Sequence, residues 1–277
     1  MRFMVIGIVL ILLGLVGWRI FDHLADRAEV IRLHAVQPAN PPVFHHTMIA
    51  DLPEPAARFF RFSIAEGTPL LPVAAIEMKG QFSLGDKDSP NYMTMKASQV
   101  LAAPNGFIWR MRAQSGHLRL SGSDGLKWTR FWMGELLPVA HAGGDADHVR
   151  SAFGRMVAEA VFWTPAAILP SRYASWEQVD QETARVTVRH NGMVQSVDVS
   201  VASDGQPTKV VFQRWSNANP DKVYRLQPFG GRLSRFQDFQ GYRLPTRIEA
   251  GNHFGTDAYF PFFIADVTEI TFPEPKN

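Results

Sequence analysis

An unbroken apolar run occupies residues 3–18 (FMVIGIVLILLGLVGW), behind a single Arg2. A hydrocarbon core about 30 Å thick needs about 20 helical residues to cross it. The run reaches that length through Arg19, Ile20 and Phe21 when the long arginine side chain extends to the lipid headgroups. Because the run is apolar on every side, a helix buried in a soluble core is the poorer interpretation. We therefore predict a transmembrane helix over residues 1–21.

The sequence after the run argues against its removal. A cleaved signal peptide has small residues in an Ala-x-Ala-like arrangement there, whereas residues 17–22 read GWRIFD. A lipoprotein needs a cysteine, and the chain has none. We predict an uncleaved signal anchor that crosses the cytoplasmic membrane once. The count of arginines on the two sides of the run favours a cytoplasmic location for the soluble domain. A very short amino-terminal tail, however, normally stays in the cytoplasm while the long carboxy-terminal part is exported. We therefore place the soluble domain outside, in the periplasm.

The part beyond the apolar run is formally neutral. The whole chain has 28 Lys and Arg against 26 Asp and Glu, and the first 21 residues contain two arginines and no acid. Nucleic-acid binding needs a clustered excess of positive charge, so we predict no nucleic-acid partner. With 46% hydrophobic residues, the chain can bury a large core.

Residues 22–50 are predicted to be a tether between the membrane and one β-rich domain at residues 51–277. The first helix is expected to continue to Leu33 and to end before the proline-rich stretch 37–42, because proline lacks an amide hydrogen. A short helix is then predicted from Asp51 to Ile64, with proline in its first turn.

From residue 72 onward, apolar residues alternate with polar ones, which is typical of strands with one buried face. One amphipathic helix interrupts the strands, with apolar residues from Val149 to Val161 at helical spacing. Asn191-Gly192 is the strongest hairpin signal. We predict a mainly β (α+β) fold with strands at 76–84, 92–101, 107–113, 118–121, 126–133, 176–179, 184–190, 193–202, 208–216, 222–226, 232–239, 244–250 and 264–272.

Several segments resemble a bacterial family of unknown function. They are Leu52-Pro53-x-Pro55 and residues 66–70 (EGTPL), 228–231 (PFGG) and 239–246 (FQGYRLPT). The order of elements also resembles the LolA, RseB and LppX superfamily. That resemblance implies a curved antiparallel sheet, a half-barrel whose concave apolar face is covered by one or two helices. It also implies a lipid or lipoprotein acyl chain as ligand, without assigning binding residues.

Aromatic side chains are concentrated between residues 100 and 165, around the amphipathic helix, and methionines at several strand positions add adaptable side chains. Plain core packing is one interpretation of them, and a ligand pocket with the helix as a lid is the other, since ligand sites are concave and mostly apolar. For the second interpretation we predict a pocket lined by Trp109, Met111, Trp128, Trp132, Phe153, Met156, Val157, Phe162 and Trp163.

A second cluster, His141, Asp145 and His148, contains ligand types that zinc accepts. Its spacing matches no known zinc pattern, and an aspartate before a helix is also the usual capping residue. The sequence contains no nucleophile elbow, phosphate loop or dinucleotide fingerprint, so we predict neither enzyme activity nor a cofactor.

The leading hypothesis is a membrane-anchored domain that binds a lipid, a lipoprotein acyl chain or another hydrophobic ligand. One alternative is an envelope interaction or sensor domain without a small ligand. The other is a metal-dependent hydrolase that uses His141, Asp145 and His148.

Overall fold

Thirteen antiparallel strands form one open sheet in the computed structural model, which describes residues 2–274 of the chain. The strands are β1 (Ala74–Ser83), β2 (Tyr92–Ala102), β3 (Gly106–Ser115), β4 (Leu118–Gly125), β5 (Trp128–Met133), β6 (Leu137–Gly143), β7 (Ala174–Gln178), β8 (Thr183–His190), β9 (Met193–Val201), β10 (Pro207–Ser216), β11 (Arg225–Phe239), β12 (Tyr242–Asn252) and β13 (Phe260–Thr271).

The sheet is built from two meanders. Strands β1 to β6 pair in sequence order, and so do β7 to β13. The two meanders join where β1 pairs with β13, and β6 and β7 are left as the two edges. The chain therefore has the predicted fold class: a mainly β structure with a curved antiparallel sheet, a few helices and a long apolar amino-terminal helix.

Three α-helices within the described residues lie on the two faces of the sheet. They are α1 (Arg2–His34), α2 (Glu54–Ser63) and α3 (Ala146–Trp163), and two short 3₁₀ turns lie at His46–Ile49 and Pro165–Ile168. We call the face under α2 and α3 the inner face and the face against α1 the outer face. The main hydrophobic core lies between the inner face and these two helices.

Strand alternation divides the side chains between the two faces. In β3, Phe107, Trp109 and Met111 are buried in the inner core, whereas Arg110 and Arg112 are exposed on the outer face. Of the two aspartates that could cap α3, Asp145 and Asp147, it is Asp145 whose carboxylate accepts a hydrogen bond of 2.7 Å from the His148 backbone N–H.

The first half of α1 has few contacts with the rest of the protein. This helix is long and apolar enough to cross a membrane, and only 6% of its apolar window is buried. Its second half lies on the outer face of the sheet. The buried residues there recur every three or four positions, so they form one stripe along the helix: Arg19, Asp22, Asp26, Glu29 and Leu33.

Buried charges join this stripe to β4 and β5. Arg130 donates to the carboxylates of Asp22 and Asp26 at 2.9 and 2.7 Å. The Trp132 indole donates to the second oxygen of Asp22 at 3.0 Å, and the Ser123 hydroxyl donates to Asp26 at 2.7 Å. Both carboxylates therefore have several donors, as buried charges require.

The segment 22–50, predicted as a tether, packs against the rest of the protein at several positions. Beyond α1, the Gln37 amide exchanges two hydrogen bonds with the backbone of Val73, and Phe44 is fully buried. The first helix ends at His34, close to the predicted end. The division of the chain into anchor, tether and domain stays a prediction.

The strand predictions need three corrections. β4 continues through Ser123-Asp124-Gly125, which we predicted as a turn, and β6 was not predicted. The predicted strands 222–226 and 232–239 join in one long strand, β11, which begins only at Arg225, so residues 222–224 lie outside it. Tertiary contacts explain the extension of β4, since the side chains of Ser123 and Asp124 bond to α1 and α3 instead of to their own backbone. The hairpin at Asn191-Gly192 is confirmed, with φ values of 49° and 76°.

Candidate ligand-binding cavity

A cavity of about 250 Å³ lies between α3 and the inner face of the sheet. Its lining is mostly apolar, and polar side chains are confined to a few positions. The apolar side chains are Phe82, Trp109, Phe131, Ala158, Phe162, Trp163, Val210, Phe212, Phe229, Ile248, Ala250, Phe262 and Phe263. The polar ones are Asp124, Thr129, Arg155, Glu159 and Arg214.

Aromatic contacts give the cavity its walls. The Trp109 ring lies 6.1 Å from Phe82, 6.3 Å from Phe131 and 6.1 Å from Phe263, in tilted or edge-to-face geometry. On the opposite side, Phe162 and Trp163 of α3 pack edge to face at 4.7 Å. Such pairs stabilise a fixed arrangement of rings, so the wall is a built surface rather than a gap between loose side chains.

A network of charged side chains closes one side of the cavity. Arg155 donates to Glu159 and to Asp124, each at 2.6 Å. The Gln99 amide donates to the other oxygen of Glu159 at 2.6 Å, and Thr129 donates to the other oxygen of Asp124 at 2.5 Å. Burial by itself lowers the pKa of Arg155, but the two carboxylates outweigh it and raise the pKa above its ordinary value.

Arg214 is the second arginine of the lining and has a different environment. Its guanidinium lies 5.1 Å from the centre of the Phe229 ring. Burial, together with the like charge of Arg155, lowers the pKa of Arg214 to about 10. The side chain is therefore still charged at neutral pH.

The predicted pocket residues lie in three places. Trp109, Phe162 and Trp163 line the cavity. The next four are buried in the core of the inner face around it: Met111, Phe153, Met156 and Val157. Trp128 and Trp132 do not line it. Their indoles donate to Ser123 and Asp22 beneath α1.

Strand alternation explains the position of these two tryptophans. In β5, Thr129 and Phe131 face the cavity, so Trp128, Arg130 and Trp132 must face the other way. The sequence shows this alternation but not which set faces inward, since both sets contain aromatic rings. That any of these residues binds a ligand stays a prediction.

Several cavity residues come from strands far along the sequence and were not predicted. Phe212 and Arg214 belong to β10, Phe229 belongs to β11, and Phe262 and Phe263 belong to β13. In β10, the period-2 spacing of Val210, Phe212 and Arg214 was a usable signal for one shared face. Only the pairing of β1 with β13, however, brings these strands next to Trp109.

The three candidate zinc ligands do not converge. His141 packs its ring on Trp18 at 5.1 Å, Asp145 caps α3, and the buried His148 ring contacts the backbone oxygen of Gly125 at 3.2 Å. Within residues 2–274, no group of three or more His, Asp or Glu side chains is arranged to hold a metal ion. The capping interpretation of Asp145 accounts for its position.

Two solved structures are similar to the chain at low identity. One is a LolA superfamily protein from Nitrosomonas europaea, at 12% identity and a TM-score of 0.40, with 79% of this chain and 91% of that chain covered. The other is a putative outer membrane lipoprotein-sorting protein domain from Vibrio parahaemolyticus, at 8% identity and a TM-score of 0.36, with 74% and 87% covered.

The family comparison covers most of the domain. No curated protein matches the chain. A family of unknown function, DUF6544, matches residues 42–264, a range that contains every segment whose resemblance was noted in the sequence. The chain therefore belongs to the DUF6544 family.

Proposed function

We propose that this protein is a membrane-anchored, extracytoplasmic domain that binds a lipid or lipoprotein acyl chain in the cavity beneath α3. The observation that carries the proposal is the cavity itself, whose walls are aromatic and aliphatic and whose few polar groups lie on one side. A ligand with an apolar chain and one polar end matches that division.

The size of the cavity narrows the ligand class. Ligand pockets usually have volumes of about 300–1,000 Å³, and this cavity, at about 250 Å³, is just below that range. A single alkyl chain suits such a volume better than a lipid with several chains buried at once. The wall of aromatic rings provides a large apolar contact area. Burial of an alkyl chain against it is favourable, because apolar surface is removed from water.

Contacts of the anchor support a permanent attachment to the membrane. Trp18 packs edge to face on Trp132 at 5.4 Å, and Arg19 donates to Ser121 and Glu135 at 2.9 Å each. Cleavage near residue 18 would remove these buried contacts. With α1 fixed to the outer face, the cavity stays close to one bilayer, so the ligand is exchanged with that membrane.

The substitution Ala158→Phe tests the cavity. Ala158 lines it from α3 and is buried, so a phenyl group there occupies ligand space. The full chain, purified in mild detergent, is extracted and its bound lipid is quantified by mass spectrometry. We expect about one tightly held lipid per wild-type chain and a severalfold lower content in the variant.

The matched control is Ala146→Phe, at the exposed first residue of the same helix. This variant keeps the apolar helix, so the amount of lipid bound around that helix is the same as in wild type. It also leaves the cavity open. Equal lipid content in wild type and both variants would contradict the proposal. If, in addition, a single protein partner copurified in stoichiometric amount, the interaction-domain hypothesis would replace it.

A further inference from the structure

Arg214 differs from the other charged groups of the cavity because it has no acceptor. Its buried Nε lacks a hydrogen-bond partner, and its guanidinium forms neither a hydrogen bond nor an ion pair with residues 2–274. A guanidinium has five N–H donors and no acceptor. Partly buried charges without such partners are costly, so this one calls for an explanation.

The neighbouring carboxylates already accept hydrogen bonds from other donors, and neither of them bonds to Arg214. Asp124 accepts from Arg155 and Thr129, one on each oxygen. Glu159 accepts from Arg155 and Gln99 in the same way. Arg155 is thus neutralised inside this network, while Arg214 contributes an uncompensated donor set to the same cavity.

The other unpaired polar atoms of the wall are also donors. The indole N–H groups of Trp109 and Trp163 are buried without an acceptor. Among the described lining residues, the buried side-chain atoms left without a partner are these two and Arg214 Nε. The unsatisfied polar groups around the cavity are therefore all hydrogen-bond donors, and they match a ligand that brings oxygen acceptors.

Packing on Phe229 does not replace a hydrogen-bonding partner. The distance of 5.1 Å from the Arg214 guanidinium to the ring centre permits a cation–π contact. An aromatic ring offers no oxygen acceptor, so this contact leaves the N–H donors without a hydrogen-bonding partner. Val210, Phe212 and Arg214 alternate along β10 and all line the cavity, so the charged edge lies at one end of an apolar row.

We propose that Arg214 binds the anionic head of the ligand, a carboxylate or phosphate on a single-chain amphiphile whose alkyl chain lies along the aromatic wall. Guanidinium binds both anions through paired N–H donors. The inference rests on the proposed function and specifies its ligand class: an acidic amphiphile rather than a neutral one.

The test compares one alkyl chain with three heads. The full chain is placed in phosphatidylcholine nanodiscs and loaded with the neutral fluorescent probe N-phenyl-1-naphthylamine. Hexadecanoate, hexadecyl phosphate and hexadecanol then compete for the cavity. A charge-assisted hydrogen bond corresponds to about tenfold to hundredfold in affinity. We expect the protein to bind at least one of the two anions more tightly than the alcohol by that factor. The anion that binds more tightly identifies the head group.

Two variants isolate Arg214. Arg214→Met should remove the preference for the anion while the probe still binds, and Arg214→Lys should keep part of it. Lys209→Gln removes an exposed cation from the opposite face of the same strand and should leave the preference unchanged. The decisive quantity is the affinity for the anion divided by the affinity for the alcohol, compared between variants. Partitioning of the amphiphiles into the bilayer is the same for every variant, so it cancels in this comparison.

The outcomes separate this inference from the proposed function. If all three amphiphiles compete equally, or if Arg214→Met keeps the preference, the cavity binds alkyl chains but Arg214 does not select the head, and the inference fails alone. If neither the probe nor any amphiphile binds, both proposals fail. The unfolding midpoint of Arg214→Met, expected at or above that of wild type, rules out a loss through misfolding.

Discussion

At the residue scale, Arg130 forms the buried ion pairs between α1 and the sheet. Its side chain is only 7% exposed and contacts two carboxylates, Asp22 and Asp26, that are 1% and 7% exposed. Removing one partner of such a group leaves uncompensated charge and costs about 3–5 kcal/mol. We predict that Arg130→Met lowers the free energy of unfolding of the full chain by about that amount, measured by chemical denaturation in detergent.

Arg112→Met is the matched control for this prediction. Arg112 is 81% exposed and lies 3.9 Å from Glu135, so its ion pair contributes less than about 1 kcal/mol. Adding Asp22→Asn and Asp26→Asn to Arg130→Met should recover stability, because the stranded charges are then gone. Equal effects of the two arginine substitutions would show that the buried network does not hold α1 in place.

At the element scale, α3 shows how local sequence defines a helix. Its apolar spacing predicted the helix, and either Asp145 or Asp147 was expected to cap it; the structure shows that Asp145 does. We predict that Asp145→Ala lowers the free energy of unfolding by about 1 kcal/mol, the usual cost of an amino-terminal cap. Asp145→Asn should stay close to wild type, since the amide oxygen also accepts the His148 N–H bond. Thermal denaturation measures both.

The same variants separate the cap from a metal ligand. If Asp145 only caps α3, a chelator should leave the melting temperature of wild type and of both variants unchanged. A drop in the wild-type midpoint with chelator, absent in Asp145→Ala, would restore the zinc interpretation. Asp257→Ala, in an exposed loop, is the control for loss of a carboxylate without loss of a cap.

Strands β4 to β6 show where local sequence was insufficient. Ser123, Asp124 and Gly125 are ordinary turn residues, yet they lie within a strand. The side chains of Ser123 and Asp124 bond to Asp26 and Arg155, which belong to helices distant in sequence. A propensity argument counts only neighbouring residues, so it cannot include such partners.

At the scale of the whole molecule, the apolar helix α1 and the sheet share an interface. We predict that protein isolated from membranes keeps residues 1–21, because Trp18 and Arg19 are held by β4 to β6 and no small-residue cleavage site follows the run. Intact mass spectrometry measures this directly, and the protein should resist alkaline extraction from the membrane.

A variant with Gly17→Ala and Arg19→Ala is the control for the anchor prediction. It creates an Ala-x-Ala site and removes the Arg19 contacts, so we expect at least partial cleavage and release. Wild-type protein whose mass corresponds to a chain beginning after residue 17 would contradict the permanent anchor. The apolar run would then be a cleaved signal sequence.

The sequence by itself determined the apolar run, the alternating strands, the amphipathic helix α3 and the Asn191-Gly192 hairpin, because each depends on residues close together in the chain. Only the tertiary structure decided which face of each strand is buried against the helices. It also decided that β13 pairs with β1, that a charged stripe fixes α1 to the sheet, and that Arg214 lines the cavity without an acceptor. Those features depend on contacts between segments far apart in sequence, and the local pattern does not encode which segments meet.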